Sequence, residues 1–115
     1  MSDLKYEKVY PIPREELSRM LASDDPKTVA DALYSATKYD EEWRWVQDQC
    51  LKSLRSPHRW IRWAAATCLG DPAFLRRPLD VDMVVPALEA AIKDPEIADP
   101  AAFSLSMVRQ FLMGK

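Results

Sequence analysis

An all-α fold, a short α-solenoid of about three antiparallel helix pairs, is what the sequence predicts, and three observations carry it. Apolar residues recur at steps of three and four along most of the chain, the period of a helix with one buried face. Two glycines stand against nine prolines. That ratio suits helices opened by proline and not β-hairpins, whose tight turns need positive φ. No segment alternates apolar and polar residues as a half-buried strand would.

Taken in order, residues 1–12 read as an irregular arm with two exposed tyrosines, Tyr6 and Tyr10. Pro13 opens a first helix with Glu15 and Glu16 early and Leu17, Met20 and Leu21 inward. Asp25-Pro26 starts a second, whose stripe is Val29, Ala32, Leu33 and Ala36 and which ends near Lys38. The third carries Trp43, Val46, Cys50 and Leu54 on one face, widened by Leu51. Asp40, Glu41 and Glu42 precede it, where carboxylates complement the helix dipole, and Lys52 and Arg55 close it. Ser56-Pro57 is expected to cap and open the fourth helix. That helix has Ile61, Ala64, Ala65 and Cys68 on one face, Trp60, Trp63 and Thr67 on an adjoining one, and Gly70 as C-terminal cap. Trp43 and Trp60, and Trp63 with them, fit core stripes, whereas Trp45 lies off its stripe and is expected to be partly exposed. The connection from Gly70 to Asp80 holds two prolines and room for one turn over residues 73–76. A fifth helix over 81–93 points Val84, Val85, Leu88, Ala91 and Ile92 inward, with Pro86 starting or kinking it. Asp99-Pro100 caps a sixth, with Ala102, Phe103, Met107, Phe111 and Leu112 as its buried stripe.

The 115 residues are expected to form a single domain over 1–115, since a chain of this length buries about two-thirds of its unfolded surface. Apolar content of 48% and charged content of 30% argue against wholesale disorder. No apolar run reaches a membrane span, and MSDLKYEKVY lacks a signal-peptide core, so the expected address is the cytoplasm. Cys50 and Cys68 sit at helical core positions and read as buried reduced thiols. Charge is lopsided: residues 1–50 hold eleven acidic and seven basic side chains, residues 51–115 seven and nine.

Aligned on their turns, the three pairs read LASDDPKTV, LRSPHRWIR and IKDPEIADP, anchored on Asp24, Ser56 and Asp94 at separations of 32 and 38 residues. The segment IRWAAATCLG follows the pattern VRxxAAxALG through Ile61, Arg62, Ala65, Ala66, Leu69 and Gly70. VVPALEAAIKDPE looks like a first repeat helix with its internal Pro86 and its turn. Over about residues 14–112 the chain thus resembles HEAT-repeat proteins. The resemblance implies a ladder of turn aspartates and second-helix arginines: Asp24 and Asp94 supply acids and Arg62 the base. Ser56, Ala30 and Pro100 replace the other members. Arg62 is then expected to bond Asp24, Asp94 or turn carbonyls. Such stacks are interaction platforms, and the fold alone does not name a partner. A freestanding three-pair chain further resembles the small HEAT-like immunity proteins of bacterial toxin systems, including contact-dependent growth inhibition.

Catalytic, metal and cofactor chemistry find no footing in the pattern. The one histidine, His58, has no nucleophile or orienting group at a recognisable spacing. The cysteines lack metal-ligand spacing, and Gly70 and Gly114 make no phosphate loop. The chain is therefore read as a non-enzymatic protein binder without cofactor. In a HEAT-like stack the second helices line the concave side, which nominates Asp31, Ser35, Arg59, Trp63 and Arg109, together with Trp45. The acidic residues Asp24, Asp25, Asp31, Asp40, Glu41 and Glu42 would meet a basic toxin domain. Two other readings stand beside this one. The Arg59-Trp60 and Arg62-Trp63 pairs suit a nucleic-acid binder related to HEAT-like DNA glycosylases, although the net charge of −2 argues against it. A scaffold or chaperone-like subunit for a cellular enzyme is the other.

Overall fold

Proline and aspartate set where several helices begin. In the computed structural model, which describes residues 9–114, seven α-helices and no strand occur among the described residues. Helix α1 (Arg14–Leu21) starts directly after Pro13. Helix α2 (Pro26–Tyr39) is N-capped by Asp25, whose carboxylate accepts from the Lys27 amide and, at 2.8 Å, from the Thr28 hydroxyl. Helices α3 (Trp43–Ser53) and α4 (Arg59–Cys68) form the central pair. A short α5 (Pro72–Leu75), capped by Asp71, precedes α6 (Val81–Ala91) and α7 (Ala98–Met113).

Each first helix packs on the second helix that follows it: α1 on α2, α3 on α4, α6 on α7. The second helices also pack side by side, with α4 between α2 and α7. Two layers result. The core at their seam includes Leu17, Leu33, Val46, Cys50, Ile61, Leu88, Leu105 and Val108. The alanine run Ala64–Ala66 is fully buried, and its small side chains let the neighbouring helices approach α4 closely. The α5 turn is part of that core as well, because Phe74 and Leu75 are buried and the turn packs on both α2 and α7.

Several expectations need correction. The helices among the described residues number seven, since the turn expected over 73–76 forms one residue earlier and fills the core. Helix α4 begins at Arg59 with His58 as N-cap. Ser56 instead accepts the His58 amide at 3.1 Å in a turn ahead of the helix. Gly70 has no positive φ and is no left-handed cap. Its amide bonds the Thr67 carbonyl, and its missing side chain makes room for α7: an added Cβ would lie 2.6 Å from Ser104 Cα. Helix α7 begins at Ala98, so the buried Pro100 lies inside its first turn, not after a cap. Its inward face is Ala101, Ser104, Leu105 and Val108, while Ala102 and Phe103 face solvent and Met107, Phe111 and Leu112 are half-buried. Trp60 is exposed, not core, and Trp43 is half-buried.

Residues 1–8 of the expected arm, Tyr6 among them, lie outside the described residues. Residues 9–12 have no helix or strand, and α2 holds them: Ser35 Oγ donates to the Tyr10 carbonyl at 2.5 Å and the Tyr39 hydroxyl to the Val9 carbonyl at 3.1 Å. Arg62 does what the ladder pattern implies. Its Nε donates to Asp94 at 3.2 Å and its Nη1 to the Ser56 carbonyl at 2.9 Å, and a further bond goes to Glu96.

Candidate functional site

Because the second helices lie side by side, their sides turned away from the first helices join into one broad surface. On α2 this side carries Lys27, Asp31, Tyr34 and Lys38; on α4, Trp60, Trp63 and Thr67; on α7, Phe103, Met107 and Gln110. All three sets follow steps of three and four. The Ser104 hydroxyl, donating to the Ala66 carbonyl at 2.5 Å, fixes the register of α7 on α4. It holds Ser104, the neighbour of Phe103, against the C-terminal end of α4 beside Gly70.

Large aromatics dominate this surface. Trp60 is 57% exposed and Phe103 65%. The Trp60 and Trp63 rings sit 6.2 Å apart between centroids, tilted by 58°. The Arg59 guanidinium lies 4.5 Å over the Trp60 ring. Tyr34 is half-buried, and burial, followed by the nearby Cys68 and Asp31 groups, pushes its phenol up to about 12. The hydroxyl therefore stays a neutral donor and acceptor at ordinary pH. Two of the surface's cations are matched: Lys27 pairs with Asp31 at 3.0 Å and Lys38 with Asp71 at 3.1 Å. No carboxylate among the described residues lies within ion-pair distance of Arg59.

On the opposite layer α3 stands between two open grooves. One, about 800 Å3, has Leu21, Val29, Trp45 and Ile61 along it and Asp24 and His58 beside them. The other, about 780 Å3, is lined by Leu51, Leu54, Met83 and Pro86 with Asp48 and Asp82. Lys52 and Arg55 border both.

The nominated residues do not converge on one place. Asp25 and Asp40 sit at opposite ends of the fourteen-residue α2, about 20 Å apart at a helical rise of about 1.5 Å per residue. Asp24 is exposed in the turn beside Asp25, and Glu41 and Glu42 are exposed beside Asp40, so the acids form two groups at opposite edges. Three of the six nominated acids are engaged within the fold, Asp31 through its pair with Lys27. The Thr28 hydroxyl, chiefly, holds the Asp25 carboxyl below its usual range. Asp40 accepts from Arg14 Nε at 2.8 Å and Nη2 at 2.5 Å, and that contact lowers its pKa. Ser35 is buried and bonded to the Tyr10 carbonyl, which removes it from any binding surface. Arg109 turns toward α6 and pairs with Glu89 at 3.2 Å. Trp45 is half-buried, capped at 4.4 Å by the Arg14 guanidinium. Asp31, Arg59 and Trp63 do lie on or beside the second-helix surface. No cluster of three or more potential metal ligands occurs among the described residues, and none of the helices there is long and apolar enough to cross a membrane.

No family model and no curated protein matches the chain. A solved structure does: a chain in the crystal structure of a CDI complex from Cupriavidus taiwanensis superposes with a TM-score of 0.82 at 30% identity. The match covers 92% of this chain and 96% of that one. This chain belongs to the family of that CDI-complex protein.

In this member of the CDI-complex family, Trp60 and Phe103 are the exposed aromatics that sequence reasoning assigned to the core. Phe103 is hidden by ambiguity, since α7 carries two overlapping stripes, Ala101-Leu105-Val108 and Phe103-Met107. A signal for Trp60 did exist. Its stripe ends in the polar Thr67, whereas the Ile61 stripe continues through alanines and Cys68.

Proposed function

We propose that this protein is the immunity component of a contact-dependent growth inhibition pair. In the cytoplasm of the cell that makes it, it binds one cognate toxin domain and masks it, catalysing no reaction itself. The observation that carries this reading is the likeness, over nearly the whole of both chains, to a protein found in a CDI complex. The exposed aromatics add to it, because tryptophan, tyrosine and arginine are over-represented among residues that dominate protein–protein affinity. We read the three helix pairs as HEAT-like units. Supporting this are the two-layer packing and the Arg62–Asp94 bond between successive pairs.

The test is a growth and binding experiment. The toxin domain encoded immediately upstream is expressed in a susceptible host with and without this protein. Growth arrest relieved by co-expression, together with a one-to-one complex on gel filtration, is expected. A toxin domain that kills equally in both cultures and forms no complex would reject the reading.

A further inference from the structure

We infer that the toxin domain docks on the outer surface of α2, α4 and α7, with Trp60, Trp63 and Phe103 as apolar anchors and Arg59 taking a carboxylate from it. The inference rests on the immunity reading and adds to it a surface and the chemistry of the toxin patch.

Exposed aromatic area singles out this surface. Trp60 and Phe103 expose much of their area on adjacent packed helices, with Trp63 half-buried beside Trp60 and Met107 half-buried one turn after Phe103. Tryptophan stiffened on a helix gives large contact area at small cost in side-chain entropy. The grooves beside α3 offer less: the aromatic ring there, Trp45, is half-buried, whereas Trp60 is exposed.

Charge identifies the partner's chemistry. The lysines of the surface are paired with Asp31 and Asp71, and among the described residues no carboxylate pairs with Arg59. The ring beneath the guanidinium orients it without neutralising it, and its planar fork suits a two-point carboxylate contact. A toxin patch with an apolar centre and an Asp or Glu at its edge fits. This reverses the acid-to-base matching that the sequence suggests, in which the protein supplies the carboxylates.

Calorimetric titration of this chain with the toxin domain used above tests it. Trp60→Ala is expected to weaken binding by roughly 30-fold or more, the loss typical of a central aromatic anchor. Arg59→Glu should weaken it by at least about tenfold, and Arg59→Lys by less, because charge persists while the fork is lost. Met83→Ala in the far groove and Glu41→Gln at the edge should bind as the wild type does. Trp60 and Phe103 are exposed, so thermal melts of their variants should stay near wild type, separating lost docking from lost fold. If the wild-type chain binds while Trp60→Ala and Phe103→Ala bind equally well, the docking surface is wrong and the immunity reading survives. A wild-type chain that does not bind rejects the immunity reading, and this surface with it.

Discussion

Gly70 lies so close to α7 that the smallest side chain would overlap the Ser104 backbone. Gly70→Ala must therefore push the two helices apart, at about 1–3 kcal/mol, the usual cost of overfilling a packed site. Urea unfolding would show it, and an unchanged midpoint would contradict the close approach. Ser104→Ala in the same background should not restore stability, because the Ser104 Cα itself is in the way. Asp40 makes a second prediction, in pH. The Arg14 hydrogen bond lowers its folded pKa, so its contribution is fully present above the unfolded value of about 4. That contribution is lost as pH falls through the folded value. Asp40→Asn should lower stability at neutral pH and flatten the acid limb below about pH 4, read by denaturant titration at a series of pH values. Arg62 shows how far single residues were legible: of the expected partners Asp24, Asp94 and turn carbonyls, it bonds Asp94 and the Ser56 carbonyl, while Glu96 was not foreseen. Gly70 was recognised as special for the wrong reason. A cap and a close approach demand the same residue, and only the neighbouring helix tells them apart.

At the level of the helix, starts marked by Asp-Pro or Pro were readable to within a residue or two for α1 and α2. Rotational phase was not readable in α7, whose apolar residues cover more than half its circumference. Its buried side is chosen by the Ser104–Ala66 bond and by the fit against Gly70, both set by another helix. The choice can be measured. Leu105→Ala should cost about 2–4 kcal/mol as a buried large-to-small change, whereas Phe103→Ala should stay within about 0.5 kcal/mol. Equal costs at the two positions would mean the helix is turned otherwise. The proposed docking surface inherits this problem, since Phe103 belongs to it only through that rotation.

Across the whole molecule the pairs are tied by packing and by a few polar hinges. Arg62 reaches from the central pair to the turn of the third, holding Asp94, Glu96 and the Ser56 carbonyl at once. Its side chain is largely buried, so Arg62→Ala should destabilise by about 2 kcal/mol, more than an exposed ion pair would. Arg62→Lys, which cannot span three acceptors in one plane, should recover less than half; full recovery would deny the three-way role. The order of the pairs was legible because it follows the chain. The side-by-side second helices were legible through the repeat resemblance. The filling of the core by α5 was not, since Phe74 and Leu75 sit in a connection whose two prolines suggested irregular chain. One further consequence comes from the two thiols. Cys50 on α3 and Cys68 on α4 are both buried and unbridged. The Cys50 thiol, through its hydrogen bond, and then burial push the Cys68 thiol well up, which keeps it from forming the reactive thiolate. A chromogenic disulfide reagent should consequently modify neither sulfur until those helices part. The chain thus carries its own stopwatch for breathing of the central seam, and a toxin domain docked as proposed should slow it.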